Sequence, residues 1–66
     1  MTIKLTIIAD IPGSSDRKIR VVPQMLKDGE WIDENPLNEF DLTKKSSQGA
    51  IYVWDTRRVV LREVPE

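Results

Sequence analysis

From Thr2 to Ala9 the apolar residues Ile3, Leu5 and Ile7 alternate with Thr2, Lys4 and Thr6, the period-two pattern of a strand with one buried face. The stretch from Asp10 to Asp16 is dense in turn residues and reads as a loop. Alternation resumes at Arg17, with Ile19 and Val21 on one side and Lys18 and Arg20 on the other. Pro23 complicates this second strand, because it cannot donate a ladder hydrogen bond and so demands an edge position or a bulge. A helix from Asp16 would align Ile19, Val22 and Leu26, but it would hold Pro23 in its interior at a cost of about 3 kcal/mol. The strand is therefore preferred. Asp28-Gly29 then predicts a two-residue hairpin turn, with Trp31 and Ile32 on the returning strand.

Beyond Asp33, Asn35-Pro36 can open a helical turn, with Asn35 as cap and Pro36 at the first helical position. Glu39-Phe40-Asp41-Leu42 can instead form a short strand, and Leu37, Phe40 and Leu42 are expected to plug the core in either case. Thr43 to Gly49 is polar and reads as a loop. The last quarter, Gly49 to Val64, carries two runs rich in β-branched and aromatic residues around a charged turn, the pattern of a β-hairpin. An even connection after Trp54 pairs Trp54 with Val59, Tyr52 with Leu61 and Ala50 with Glu63. An odd one groups Tyr52, Trp54, Val60 and Arg62 opposite Ile51, Val53, Val59, Leu61 and Glu63. In either register both faces keep large apolar groups. The expected fold is all-β: a small antiparallel barrel or sandwich of five or six strands, mostly a meander, ending in a β-hairpin.

Length makes the surplus of apolar side chains matter. A chain of 66 residues forms one domain, residues 1–66, and buries only about 60% of the surface its unfolded form exposes. Small domains usually compensate with disulfides, a metal or self-association. The absence of Cys and His removes thiolate and imidazole chemistry, so neither a metal nor a cofactor is expected. It also fits a reducing cytoplasm, the expected location. The opening apolar run is too short, and too interrupted by Thr6 and Asp10, for a signal peptide. No stretch approaches the roughly 20 apolar residues of a membrane helix, so no membrane partner is expected.

Formal net charge is −1, but the signs are segregated. Asp28, Glu30, Asp33, Glu34, Glu39 and Asp41 form an acidic middle between two basic flanks. That middle lacks the Asp-x-Asp-x-Asp-Gly spacing of a calcium loop and reads as a solvated surface. Gly13-Ser14-Ser15 lacks the Gly-Lys-Ser/Thr ending of a phosphate loop. With little volume for a water-excluding pocket, and only carboxylates, Ser, Lys or Tyr52 to do chemistry, the chain is not expected to be an enzyme.

The residues that invite a functional reading lie in the closing segment. Burial of Val53 and Val60, or of Tyr52 and Trp54, would drive association with a protein partner or with a second copy, adjacent charges setting specificity. Tyr52 and Trp54 beside Arg57, Arg58 and Arg62 could instead stack bases and bind phosphates of single-stranded nucleic acid or RNA. That alternative is less favoured, because aromatics in a hairpin are usually core and arginines at a turn are usually solvated.

Asp28-Gly29 with its short acidic strand, Ile51-Tyr52-Val53-Trp54-Asp55-Thr56-Arg57-Arg58, and the ending Arg62-Glu63-Val64 resemble small uncharacterised proteins encoded by tailed bacteriophages. The resemblance covers the C-terminal half and implies no activity and no binding residues. It implies a setting: a phage or prophage accessory protein in the bacterial cytoplasm, or a minor virion component.

Overall fold

A computed structural model describes all 66 residues and is all-β. Its strands are β1 (Ile3–Ile8), β2 (Arg17–Lys27), β3 (Glu30–Asp33), β4 (Phe40–Leu42), β5 (Gln48–Val53) and β6 (Arg57–Pro65). They form two antiparallel sheets and no closed barrel. β1 and β5 make a two-stranded ribbon, Ile3 opposite Val53 through Ile8 opposite Gln48. The larger sheet is built on β2. β6 lies along one edge of it, while β3 and β4 follow one another along the other. No helix is long and apolar enough to cross a membrane.

The β2–β3 hairpin forms as its sequence dictates. Asp28 and Gly29 have φ of 53° and 81°, the two positive values that a type I′ turn needs to match strand twist. Lys27 faces Glu30, Leu26 faces Trp31, and Gln24 faces Asp33. Replacing Gly29 by Ala is expected to cost roughly 1–2 kcal/mol, the penalty of a Cβ in left-handed backbone. A lower urea midpoint at unchanged slope would register it.

Pro23 corrects the expectation of an edge or a bulge: it lies inside the longest strand, opposite Val59 of β6. Its carbonyl accepts from the Glu34 N–H at 2.9 Å. In an antiparallel strand a residue's N–H and C=O point to the same edge, so the Pro23 nitrogen faces the gap where β3 ends and β4 has not begun. No ladder bond is missed there. The segment filling that gap satisfies both alternatives for it. Pro36–Asn38 is one 3₁₀ turn capped by Asn35, whose Oδ1 accepts from the Leu37 N–H at 3.0 Å, and Phe40–Leu42 is a strand.

β2 has odd-numbered side chains on one side of the sheet and even-numbered ones on the other. On the odd side the ribbon packs, because a Cβ built at Gly49 would lie 2.5 Å from Phe40 Cε2 and 3.3 Å from Leu42 Cδ2. Val21, Leu42 and Ile51 are the buried centre of that contact. Leu37, expected in the core, is instead 89% exposed at the tip of the 3₁₀ turn, and Phe40 is only half-buried. The even side carries a lattice of long polar side chains around the buried Val22.

The closing hairpin is the main correction. β5 and β6 are joined by a tight turn at Asp55-Thr56 and meet only at the bridge Trp54–Arg57. None of the pairs Trp54–Val59, Tyr52–Leu61 or Ala50–Glu63 forms. Asp55 and Thr56 both lack positive φ, and a two-residue turn of unprimed type splays its strands instead of matching their twist. β5 therefore joins β1 in one layer and β6 joins β2 in the other.

Candidate interaction surface of the C-terminal strands

The splayed strands distribute the candidate residues over several surfaces. Ile51 is buried under the ribbon and Val53 is half-buried beside it. Tyr52 points away from the sheet and is 52% exposed, and Trp54, at the turn, is 41% exposed. Val60 is half-buried on the opposite side of the larger sheet with Arg58 and Arg62. Val53 and Val60 thus do not form one strip, whereas Trp54 and Arg57 do meet, the guanidinium lying 5.2 Å from the indole centroid.

Each of the arginines has an internal partner. Arg57 reaches Glu34 through two bonds, Nε to Oε2 at 2.8 Å and Nη2 to Oε1 at 3.0 Å, and also donates to the Tyr52 carbonyl. Arg62 donates to Asp33 Oδ2 at 3.2 Å. Arg58 lies 4.4 Å from the Trp31 ring centroid and donates to Gln24 Oε1, while Gln24 Nε2 donates to Asp33 Oδ1. Arg58 alone of the three has no carboxylate in salt-bridge range. Gln24, Trp31 and Asp33 are therefore as much part of this surface as the arginines. The β2–β3 register set by Asp28-Gly29 is the signal that places them there.

Half of the acidic middle, Asp33, Glu34 and Asp41, is engaged in such contacts. Gln24 and then Arg62 hold the Asp33 carboxyl below its ordinary value, Arg57 does so for Glu34, and Arg20 followed by Lys18 does so for Asp41. Carboxyls more acidic folded than unfolded make the unfolded chain bind more protons in the acid range. Their stabilisation is complete above the unfolded values, about 4, and is lost as pH falls through the lower folded ones. Thermal midpoints are expected to be level from neutral pH to about pH 5 and to drop below about pH 4. A midpoint unchanged in strong acid would contradict the pairing.

A groove separates β1 from β6. At one end a cavity of about 330 Å³ is lined by Met1, Ile3, Leu5, Val53, Trp54 and Val59 with the two adjacent arginines. At the other, a cavity of about 370 Å³ lies between Ala9, Ile11, Ile19 and Glu63. Leu61, between Val59 and Glu63 on the same side of β6, is 53% exposed. Both strands bordering the groove have one unpaired edge. Leu26 donates to the Thr56 carbonyl and Glu66 to that of Asp16, which fixes the even-numbered residues of β6 as those bonded to β2. The N–H and C=O of Val59, Leu61 and Glu63 consequently point outward. The same reasoning from Ala9 N–H to Ser47 O turns those of Lys4, Thr6 and Ile8 outward on β1. No family model, no curated protein and no solved structure matches this chain.

Proposed function

We propose that this chain is a non-enzymatic protein-interaction module that binds a protein partner, or a second copy of itself, through the segment from Gly49 to Val64. One observation carries the reading: Tyr52, Trp54 and Leu61 are each around half exposed on a chain whose buried set is six residues. The accessible surface of 4782 Å² exceeds the roughly 4,300 Å² that mass scaling gives a compact protein of this size. Large apolar side chains left at the surface beside fixed charges support an interaction site. We read the ribbon on the larger sheet as a small open sandwich, whose uncovered strip along β6 a partner would complete. The resemblance to small bacteriophage proteins supplies a setting, an accessory protein in a bacterial cytoplasm or a minor virion component. Nucleic-acid binding by the same residues has less support, because Glu34 and Asp33 already occupy Arg57 and Arg62.

Selection of a displayed random-peptide library on the immobilised full chain tests the reading. Enriched peptides are expected to bind about fivefold or more weakly to Trp54→Ala or Leu61→Asp, and equally well to Leu37→Asp, which alters a distant exposed residue. The reading fails if enriched peptides respond only to Leu37→Asp. It also fails if none is enriched and sedimentation finds a monomer at every concentration.

A further inference from the structure

We infer that the outer edge of β6 is a strand-addition site for an extended peptide with two acidic residues four positions apart and apolar residues between them. The inference rests on the interaction reading above and names the partner's chemistry. Val59, Leu61 and Glu63 offer outward N–H and C=O groups to an added strand. Pro65, which has no N–H, ends the run. Backbone pairing of this kind supplies affinity, and alternate side chains supply specificity.

The fold states the specificity rule on its other edge. β4 lies along β2 with Phe40 and Leu42 on the ribbon side and Asp41 on the opposite side, 2.8 Å from Lys18 and 3.0 Å from Arg20. The last two residues of β3 repeat it, with Ile32 on the ribbon side and Asp33 on the other, bonded to Gln24 and Arg62, whereas Glu30 and Trp31 take the reverse sides. At these positions apolar groups face the ribbon while Asp41 and Asp33 face away from it, beside Lys18, Arg20 and Arg62. Along β6 the ribbon side presents Val59 and the exposed Leu61, flanked by the two cavities. The other side presents Arg58, Val60 and Arg62. Arg58 is held in place by Trp31 and Gln24 but has no carboxylate, so one incoming acid would meet an ordered, unneutralised cation, while the second would share the exposed guanidinium of Arg62 with Asp33 and contribute less.

Charge argues for such a peptide over a second copy of β6. Antiparallel pairing of two β6 strands that sets Val59 opposite Leu61 places Arg58 of each directly across from Arg62 of the other, a destabilising like-charge arrangement, and pairing about Leu61 leaves Arg62 of each diagonal to both arginines of the other. The outer edge of β1 opens with Lys4, a residue type that blunts edges.

The test uses the full chain, isotope-labelled, and the capped synthetic peptide Thr-Lys-Glu-Val-Leu-Val-Glu-Thr. Titration runs to about 1 mM, where a few net hydrogen bonds of roughly 1 kcal/mol become measurable. Saturable shifts are expected from Val59 to Glu63, with slowed amide exchange at Val59, Leu61 and Glu63. Exchanging both peptide glutamates for lysine should weaken binding about tenfold, and Arg58→Glu should narrow or reverse that preference. Leu61→Pro, which removes an outward N–H and no ladder bond, should abolish binding. If that variant does not fold, the Arg58→Glu comparison decides alone. Equal binding of acidic and basic peptides, no binding, or shifts confined to Lys4, Thr6 and Ile8 overturns the inference. Exchange at Leu61 that slows with protein concentration alone overturns it in favour of a second copy. The broader interaction reading survives any of these results if library binders still depend on Trp54 or Leu61.

Discussion

Leu42→Ala is expected to lose about 2–5 kcal/mol, the cost of truncating a fully buried leucine where the surroundings cannot collapse. Leu42 is 1% exposed and sits where the ribbon meets the larger sheet, against the backbone of Gly49. A chain of 66 residues has a total stability of only roughly 3–10 kcal/mol, so a substantial unfolded population should appear at room temperature. Urea unfolding followed by tryptophan fluorescence measures it. A loss below about 1 kcal/mol would mean that the ribbon does not seal this residue.

Gly49→Val should be damaging for the opposite reason. Its Cβ would stand 2.5 Å from Phe40 Cε2, 3.2 Å from Phe40 Cζ and 3.3 Å from Leu42 Cδ2, so the ribbon must lift or the Phe40 ring must swing out. Overpacking of this kind costs about 1–3 kcal/mol. Gly49→Ala should cost less, since the rim of a half-buried ring can give way. Pairing Gly49→Ala with Phe40→Leu should recover stability beyond additivity, a coupling that a double-mutant cycle isolates. Additive losses would separate Gly49 from Phe40.

Strand positions were legible where alternation or turn chemistry is local. Ile3, Leu5 and Ile7 announce β1, and Asp28-Gly29 fixes the β2–β3 register down to Gln24 opposite Asp33. What local pattern could not supply is which strand pairs with which. The β5 and β6 runs look like a hairpin because each has strand composition and a two-residue turn joins them, but pairing is settled by where each apolar face can be buried. Ile51 is buried once β5 joins β1 over the larger sheet, while Val59 and Val60 find β2. The contrast between Asp28-Gly29 and Asp55-Thr56 is visible in the sequence, since only the first has a glycine to take up positive φ. Pro23 was legible as a constraint but not as a solution, because the gap its nitrogen faces depends on β3 and β4 stopping and starting around it.

The same non-local choice decides the candidate surface. Tyr52, Trp54, Arg57, Arg58 and Arg62 stand out as residue types, yet their meaning depends on Glu34, Asp33, Gln24 and Trp31, which reach them only through β2. Once those partners are in place, the arginines are a rigid, mostly neutralised frame around an open strand edge.

The account turns on β6 leaving β5 and keeping that edge free. Residue-resolved amide hydrogen exchange in dilute protein tests this most directly. Slow exchange is predicted at Val60, Arg62 and Val64, whose amides bond to β2, alternating with fast exchange at Leu61 and Glu63, whose amides point outward. Protection of Leu61 and Glu63 equal to that of Val60 and Arg62 would contradict it, because a second strand would then cover the edge on which the interaction depends.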